Sequence, residues 1–483
     1  MSVLSHKKYP VGVMPMLVIQ LVSMIAFVFV TYLLVLYATN KLGFSNHHAY
    51  TLVAAFIALM YGAHVSGGLL AEKSFGHDHS VIIGIVLSTI GSFGLLLPSI
   101  TALYVSLSLF IVGSGLFIPC LFVLLGRLYQ PDHPYRQSGF LLIYVGMNIG
   151  SLIAASAQGP LLEIMNYRSV FLIGAIAQII LLLLYLRYRR TFQENAIKPD
   201  HTIFSQRAKT WGWIGCIASI IAIAILLDYA RIANVILIII GALCAIFVAI
   251  LAMNLQGAAR KNLWAFLILV IVALCFWALY MLNTTALVIF IEHNVNRQLL
   301  GWTVPTASFS ALNPFFILIV GFILMCLWGA IYRWRQKSPS IPLKFVVGLI
   351  FAGLGYLVLV VGIHHGISNK VPMIWIVLCY LMLTIAELLI APVGFAMVGK
   401  LVPERMEAFM VGIWELSTGV AAAISGYLAY LTITPPLHKA ASSVLQTNLS
   451  YEHSFITFGV IACVLGIVIA FFVPWLNRLC ASK

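Results

Sequence analysis

RYRRTFQENAIKPDHTIFSQRAK, residues 187–209, is a polar, basic interruption in a 483-residue chain that is 62% hydrophobic and only 8% charged. Both sides of it read as long apolar runs. Walking outward, six such runs precede it; two runs and a short basic loop follow, and then six more. A soluble domain of this size cannot cover its surface with so little charge, whereas a bilayer can accept it. The mean hydropathy of +1.07 and the 12% aromatic share fit a chain anchored by interfacial Trp and Tyr.

The runs lie near 13–38, 50–71, 81–98, 102–126, 139–161, 169–188, 211–229, 232–253, 263–291, 309–333, 343–364, 372–399, 407–431 and 454–477. Each is long enough for about 30 Å of hydrocarbon, which predicts about fourteen transmembrane helices. Backbone groups in lipid must be satisfied within the segment, so helices are expected; barrel strands would be shorter and would alternate. The expected fold class is an all-α polytopic membrane protein. Its expected organisation is an N-terminal six-helix bundle over 1–190, a cytoplasmic linker with an inserted helix hairpin over 191–262, and a C-terminal six-helix bundle over 263–483. The first run follows MSVLSHKKYPVG with no small-residue cleavage signature, so it is read as a retained helix and not a signal peptide.

The net charge of +14 could suggest a nucleic-acid partner, but the 27 Lys and Arg sit in short loops and not on one face. With the N-terminus inside, about 21 of those 27 fall on inner segments and about 6 on outer ones. That split, and an even number of spans, predict a multi-pass protein of the cell inner membrane with both termini cytoplasmic. The eight cysteines lie almost entirely within apolar runs, with no C-x-x-C or Cys/His spacing. They are read as small core residues, with no disulfide framework, no metal and no cofactor.

Paired six-helix bundles are a common architecture of secondary transporters. The chain has no G-x-x-x-x-G-K-[ST] loop, which argues against ATP-driven transport by this chain alone, and no H-E-x-x-H or G-x-S-x-G, which argues against an enzyme.

The motifs then narrow the family. GGLLAEKSFGHDHS, between the second and third runs, resembles the cytoplasmic loop signature of the major facilitator superfamily, with Gly68, Leu70, Glu72, Lys73 and Gly76 matching in type. Physically it reads as a tight glycine turn beside a carboxylate that can pair with basic groups or a helix end. His77, Asp78 and His79 stand where that signature has basic residues. SGFLLIYVGMNIGSLIA, residues 138–154, resembles the F-Y-x-x-I-N-x-G signature of the proton-dependent oligopeptide transporters; Tyr144, Gly146, Asn148 and Gly150 coincide with it. GSGLFIPCLFVLLGRLY is similar to that family's fourth helix. CFWALYMLNTTALVIFIEHNVNR is similar to the seventh, ASFSALNPFFILI to the eighth, SPSIPLKFVVGLIFAGLGYLVLV to the ninth, and TIAELLIAPVGFAMVGKLVPERM to the tenth. An inserted hairpin is also typical of bacterial members. The resemblance implies the major facilitator fold and peptide transport by proton symport.

Glu387, in IAELLIAP, is the residue that most needs a reason. A carboxylate inside an apolar span costs about 2.5–3.5 kcal/mol on insertion scales. The resemblance implies that this glutamate faces the central cavity and binds the substrate's amino group, which offsets that cost. It implies a cavity role for Asn148 as well. Tyr144, Trp277, Asn313 and Trp414 are further candidates for substrate binding. Asn313 precedes Pro314, so it either faces substrate or satisfies a carbonyl freed by the kink. Trp277 either lines the cavity or packs in the core.

The departures are as informative. The family's first helix carries E-x-x-E-R, and Gln20, Ser23 and Met24 stand at those positions here. Its fourth-helix lysine is Ile118, followed two residues on by Cys120, and its seventh-helix acid is Met281. The cations that the resemblance assigns to a peptide's carboxylate are therefore gone. This suggests an atypical site whose solute is peptide-like or amine-bearing, without a free carboxylate; a peptide carboxylate desolvated there would lack a partner.

For protons the candidates are Glu387, Glu415 and His64. Glu415, in GIWELSTG, stands where the family has an apolar aromatic, and reads either as a proton carrier or as a helix-end group reaching water. His64, in YGAHVSGG, reads either as a titrating group or as a histidine bonded to a backbone carbonyl. The expected function is proton-coupled import by alternating access, by a monomer whose partners are the lipid bilayer, a small solute and protons, with no nucleic acid. The alternatives are an uncoupled uniporter or exporter of a non-peptide solute such as a metallophore, or a transport-dead receptor.

Overall fold

The structure is a computed structural model that describes residues 9–129, 136–197, 204–335, 339–366, 370–402, 407–432 and 444–480. Of the loop charges counted above, Lys7, Lys8, Lys198, Lys337, Arg405, Lys439 and Lys483 lie outside the described residues. The chain folds almost entirely as helices, as the apolar runs require. Among the described residues eleven helical stretches are long and apolar enough to cross a membrane. The runs expected near 81–98, 139–161 and 407–431 are helical over His77–Gly94, Arg136–Ile164 and Glu407–Leu431, but are not among those eleven. The chain divides into two compact units, one of Met1–Leu34 and Leu59–Tyr229, the other of Val35–Ala58 and Ala230–Lys483.

The first unit begins with α1 (Val13–Thr31); the short α2 (Leu34–Asn40) and the first half of α3 (Asn46–Leu70) group with the second unit, and the chain returns to the first at Leu59. One π-helical turn, Ala71–Phe75, continues α3 and ends at Gly76. Next come α4 (His77–Gly94), α5 (Ile100–Arg127), α6 (Arg136–Ile164), α7 (Tyr167–Glu194) and α8 (Gln206–Asp228). Small residues let these helices approach backbone to backbone. A Cβ built on Gly84 of α4 would stand 2.5 Å from the Gly113 carbonyl oxygen of α5, and one on Gly150 of α6 would stand 2.2 Å from the Leu21 oxygen of α1. Ile19, Leu121, Ile143 and Leu181 close the core where α1, α5, α6 and α7 meet. Asn166 caps α7 by accepting from the Ser169 N–H at 2.9 Å, and Ser205 caps α8 through Ala208 at 3.2 Å.

The second unit holds α9 (Ala230–Asn254), α10 (Gly257–Tyr280), α11 (Ala286–Asn294), α12 (Leu312–Arg335), α13 (Ile341–His364), α14 (Met373–Leu401), α15 (Glu407–Leu431) and α16 (Val444–Cys480). Here α13 packs on α16 through another glycine contact, Gly353 against the Gly459 carbonyl. Beside it lies a buried aromatic cluster of Phe290, Tyr356, Tyr451 and Phe455. The two helices of the expected hairpin fall in different units: α8 belongs with α5, and α9 with α15.

The run expected as one span over 263–291 is interrupted. After α10 a 3-10 turn, Met281–Thr284, and the non-helical Thr285 separate it from α11. The break frees carbonyls that lipid cannot satisfy. Tyr356 of α13 donates its hydroxyl to the Leu279 carbonyl at 2.7 Å, and Thr284 donates to the Met281 carbonyl at 2.8 Å.

Candidate functional site

Glu387 sits midway along α14 and is only 8% exposed. Its partners are neutral. Asn313, in the first turn of α12, donates its amide to Glu387 Oε2 at 2.7 Å and to Thr384 Oγ1 at 3.2 Å. The Tyr280 hydroxyl hydrogen-bonds to the same carboxylate from the last turn of α10. Thr384 lies three residues before Glu387 on one helix face, and donates in turn to the Tyr380 carbonyl at 2.8 Å. Three helices thus converge on one carboxylate and give it hydrogen bonds but, among the described residues, no cation. Such a group is oriented and still short of a counter-charge. Of the two readings of Asn313, the contact observed is to Glu387.

Trp277 lies one turn before Tyr280, with ring centroids 5.3 Å apart, and its ring is tilted against Phe276 at 5.0 Å. Its indole Nε1 is buried without a hydrogen-bond partner, as is Asn283 Oδ1 at the break below it. Trp414, on α15, is 2% exposed. Its six-membered ring fills the notch of Gly394, where a Cβ would stand 2.0 Å from Trp414 Cζ2, and it packs on Phe345. Glu415, the next residue, is half-buried, and makes no hydrogen bond or ion pair among the described residues.

In the first unit Tyr144 and Asn148 share one face of α6. Asn148 is buried and donates to the Tyr144 carbonyl at 2.9 Å, while Tyr144 is 38% exposed. His64 sits on α3 with its ring edge-on to Tyr61 at 5.8 Å and its Nε2 buried without a partner. The loop motif forms a single device. Gly76 takes φ +76°, a conformation that suits glycine, and its N–H closes on the Ala71 carbonyl at 2.8 Å. Gly68 is on α3, and Glu72 and Lys73 are exposed on the π turn.

The charge that this loop does bury is Asp78, in the first turn of α4. Arg189 of α7 contacts its Oδ2 through Nε at 2.7 Å and through Nη2 at 2.6 Å, and the Tyr185 hydroxyl donates to Oδ1 at 2.9 Å. Arg127 of α5 donates to His77 Nδ1 at 3.1 Å. Sequence reasoning noted Asp78 only as a departure from the loop signature and did not pair it with Tyr185 or Arg189. An acid in a first turn was a local signal, but nothing in the sequence paired it with a helix over a hundred residues away. Thr384 and Tyr280 were also passed over. Thr384 could have been found from its spacing to Glu387, and Tyr280 from its spacing to Trp277.

Comparison with known proteins agrees with this architecture. A family model described as POT family matches residues 80–445. The "Dipeptide and tripeptide permease B" of Photorhabdus asymbiotica is 32% identical, over 93% of this chain and 92% of its own length. The protein of the same name from Salmonella typhimurium is 31% identical, over 92% of this chain and 91% of its own. Among solved structures, a peptide transporter POT in complex with sulfate superposes with a TM-score of 0.85 at 26% identity, covering 98% of this chain and 96% of that one. A POT family transporter in complex with 5-aminolevulinic acid superposes with a TM-score of 0.84, also at 26% identity, covering 97% of each chain. The chain therefore belongs to the POT family, and is a membrane transporter with the major facilitator fold and not an enzyme.

Proposed function

We propose that this transporter imports dipeptides and tripeptides across the cell inner membrane, by alternating access and in symport with protons. The observation that carries this reading is Glu387, a buried carboxylate whose hydrogen bonds come from neutral groups of two other helices. A peptide's ammonium group supplies the missing counter-charge and replaces the water that both ions lose. The relatives' names favour di- and tripeptides over the carboxylate-free amine that the lost cations suggest, and the proposal follows the relatives. The non-peptide uniporter, the exporter and the receptor receive no support from them.

In this reading Glu387 holds the amine, Asn313 orients Glu387, and Trp277 shapes the site beside Tyr280; Tyr144 and Asn148 are the substrate-binding candidates of the first unit. Trp414 acts from behind, by holding α15 on α14. Glu387, Glu415 and His64 are the proton-carrying candidates, because each is a titratable group in a span with no ionic partner among the described residues. The loop charges favour both termini in the cytoplasm, the protein is read as a monomer, and 1–190 and 263–483 are read as six-helix bundles that flank the 191–262 insert in the sequence.

The test is uptake of labelled dialanine into proteoliposomes, with and without an imposed inward proton gradient. Concentrative uptake that collapses with a protonophore is the expected result. Uptake that only equilibrates under both conditions overturns the coupling, and no saturable uptake of any di- or tripeptide overturns the substrate class.

A further inference from the structure

We propose that the second unit carries a binding site for the phosphate headgroup of an anionic membrane lipid, between the start of α10 and the end of α16. A cleft of about 470 Å³ opens there. Arg260, Lys261, Trp264 and Ile268 of α10 line it together with Trp475 of α16, the two indoles and Ile268 making its apolar wall. The volume is that of a small-ligand site and not of a packing defect.

The cations set the ligand's charge. Both are exposed, and among the described residues neither makes an ion pair or hydrogen bond. Other arginines of the molecule are engaged: Arg189 by Asp78, and Arg297 by Glu292. Two adjacent unpartnered cations in a cleft favour an anion that both can reach, which a phosphodiester is. The backbone adds to this, because α10 starts at Gly257 with no side-chain cap on its first N–H groups.

The wall sets the source. A free phosphate gains nothing from two indoles and an isoleucine. A phospholipid places its headgroup on the cations and its glycerol and upper acyl carbons along the apolar wall, the arrangement for which Trp is enriched at bilayer interfaces. The span of α10 that leads away from this cleft ends in Tyr280, the partner of Glu387.

The experiment uses the full-length protein, delipidated in detergent and titrated with short-chain phosphatidylglycerol, phosphatidylcholine or inorganic phosphate, with bound lipid read by native mass spectrometry. The expected result is preferential retention of phosphatidylglycerol, weakened about thirtyfold in the R260Q/K261Q double variant, since each cation near a lipid surface contributes about a fivefold factor. A W264A variant is expected to weaken lipid binding while leaving Arg260 and Lys261 in place. Equal retention by the parent and R260Q/K261Q, with matching thermal transitions, overturns the site. Equal retention of phosphatidylcholine overturns the anionic preference. Inorganic phosphate competing at concentrations similar to the lipid overturns the lipid as its source.

Discussion

Two buried carboxylates, one in each unit, are held in opposite ways. Asp78 is locked by a guanidinium and a phenol, with Arg189 at 2.6 Å and Tyr185 at 2.9 Å. Glu387 is held only by uncharged groups, with the Asn313 amide at 2.7 Å. The first carboxylate has its charge answered inside the protein and is a fastening. The second has its geometry fixed and its charge unanswered among the described residues, which accords with the proposed role of holding a substrate ammonium. Burial alone does not separate the two roles; the charge of the partner does.

The largest effect that would test this contrast is at Glu387. Glu387→Gln keeps the shape and removes the charge, and is expected to reduce dipeptide binding more than a hundredfold, because a neutral amide cannot offset a desolvated ammonium. Calorimetry on the purified variant measures it, and binding within tenfold of the parent would place Glu387 with the structural acids. Asp78→Ala leaves Arg189 and the Tyr185 hydroxyl without their partner. A destabilisation of about 2 kcal/mol is expected, with substrate affinity unchanged in the fraction that folds. Thermal-shift and binding measurements on one preparation separate the two, and an affinity loss without a stability loss would reverse the assignment.

Glu415→Gln is expected to leave substrate exchange intact while abolishing accumulation driven by a pH gradient. Exchange needs only the conformational cycle, whereas accumulation needs the proton to travel with the solute. If the variant still concentrates substrate as the parent does, Glu415 is structural and His64→Gln becomes the next variant. The smallest effect is at Asn313. Asn313→Ala loosens Glu387 without touching its charge, and a loss of about tenfold in affinity is expected, the low end of the worth of one hydrogen bond to a charged group. A loss as large as that of Glu387→Gln would mean that Asn313 itself contacts the substrate.

Much of this was legible in the sequence, for physical reasons. Span length and loop charge are dictated by the bilayer, so the helical class could be read from runs such as 372–399, which the structure renders as Met373–Leu401. Glu387 stood out because a carboxylate in such a run has to be explained. The interruption after Tyr280 was not legible. MLNTTA contains no proline or glycine, and the hydroxyl that relieves the break comes from Tyr356, over seventy residues further on. The Asp78–Arg189 pair escaped for the same reason: its two halves lie 111 residues apart in the sequence, and each alone reads as an ordinary solvated charge. The expectation of a carboxylate-free solute rested on Met24, placed by aligning the shared L-V-L-Y of residues 34–37, and on Ile118, placed by its G-L-F-x-P context.

The interruption between α10 and α11 has a mechanical consequence. A continuous helix behaves as a stiff rod: each turn is bonded to the next, so a twist at one end is delivered to the other. At Thr285, φ −129° and ψ −99° end that continuity, and Ile289 bonds back to the Thr285 carbonyl at a long 3.4 Å. Torque from one segment is therefore not forced on the other. Tyr356, whose hydroxyl holds the Leu279 carbonyl just before the break, makes α13 the bearing on which this joint rests. The span is thus two segments joined at one break, and Tyr280 and Trp277 lie on the segment that ends beside Glu387.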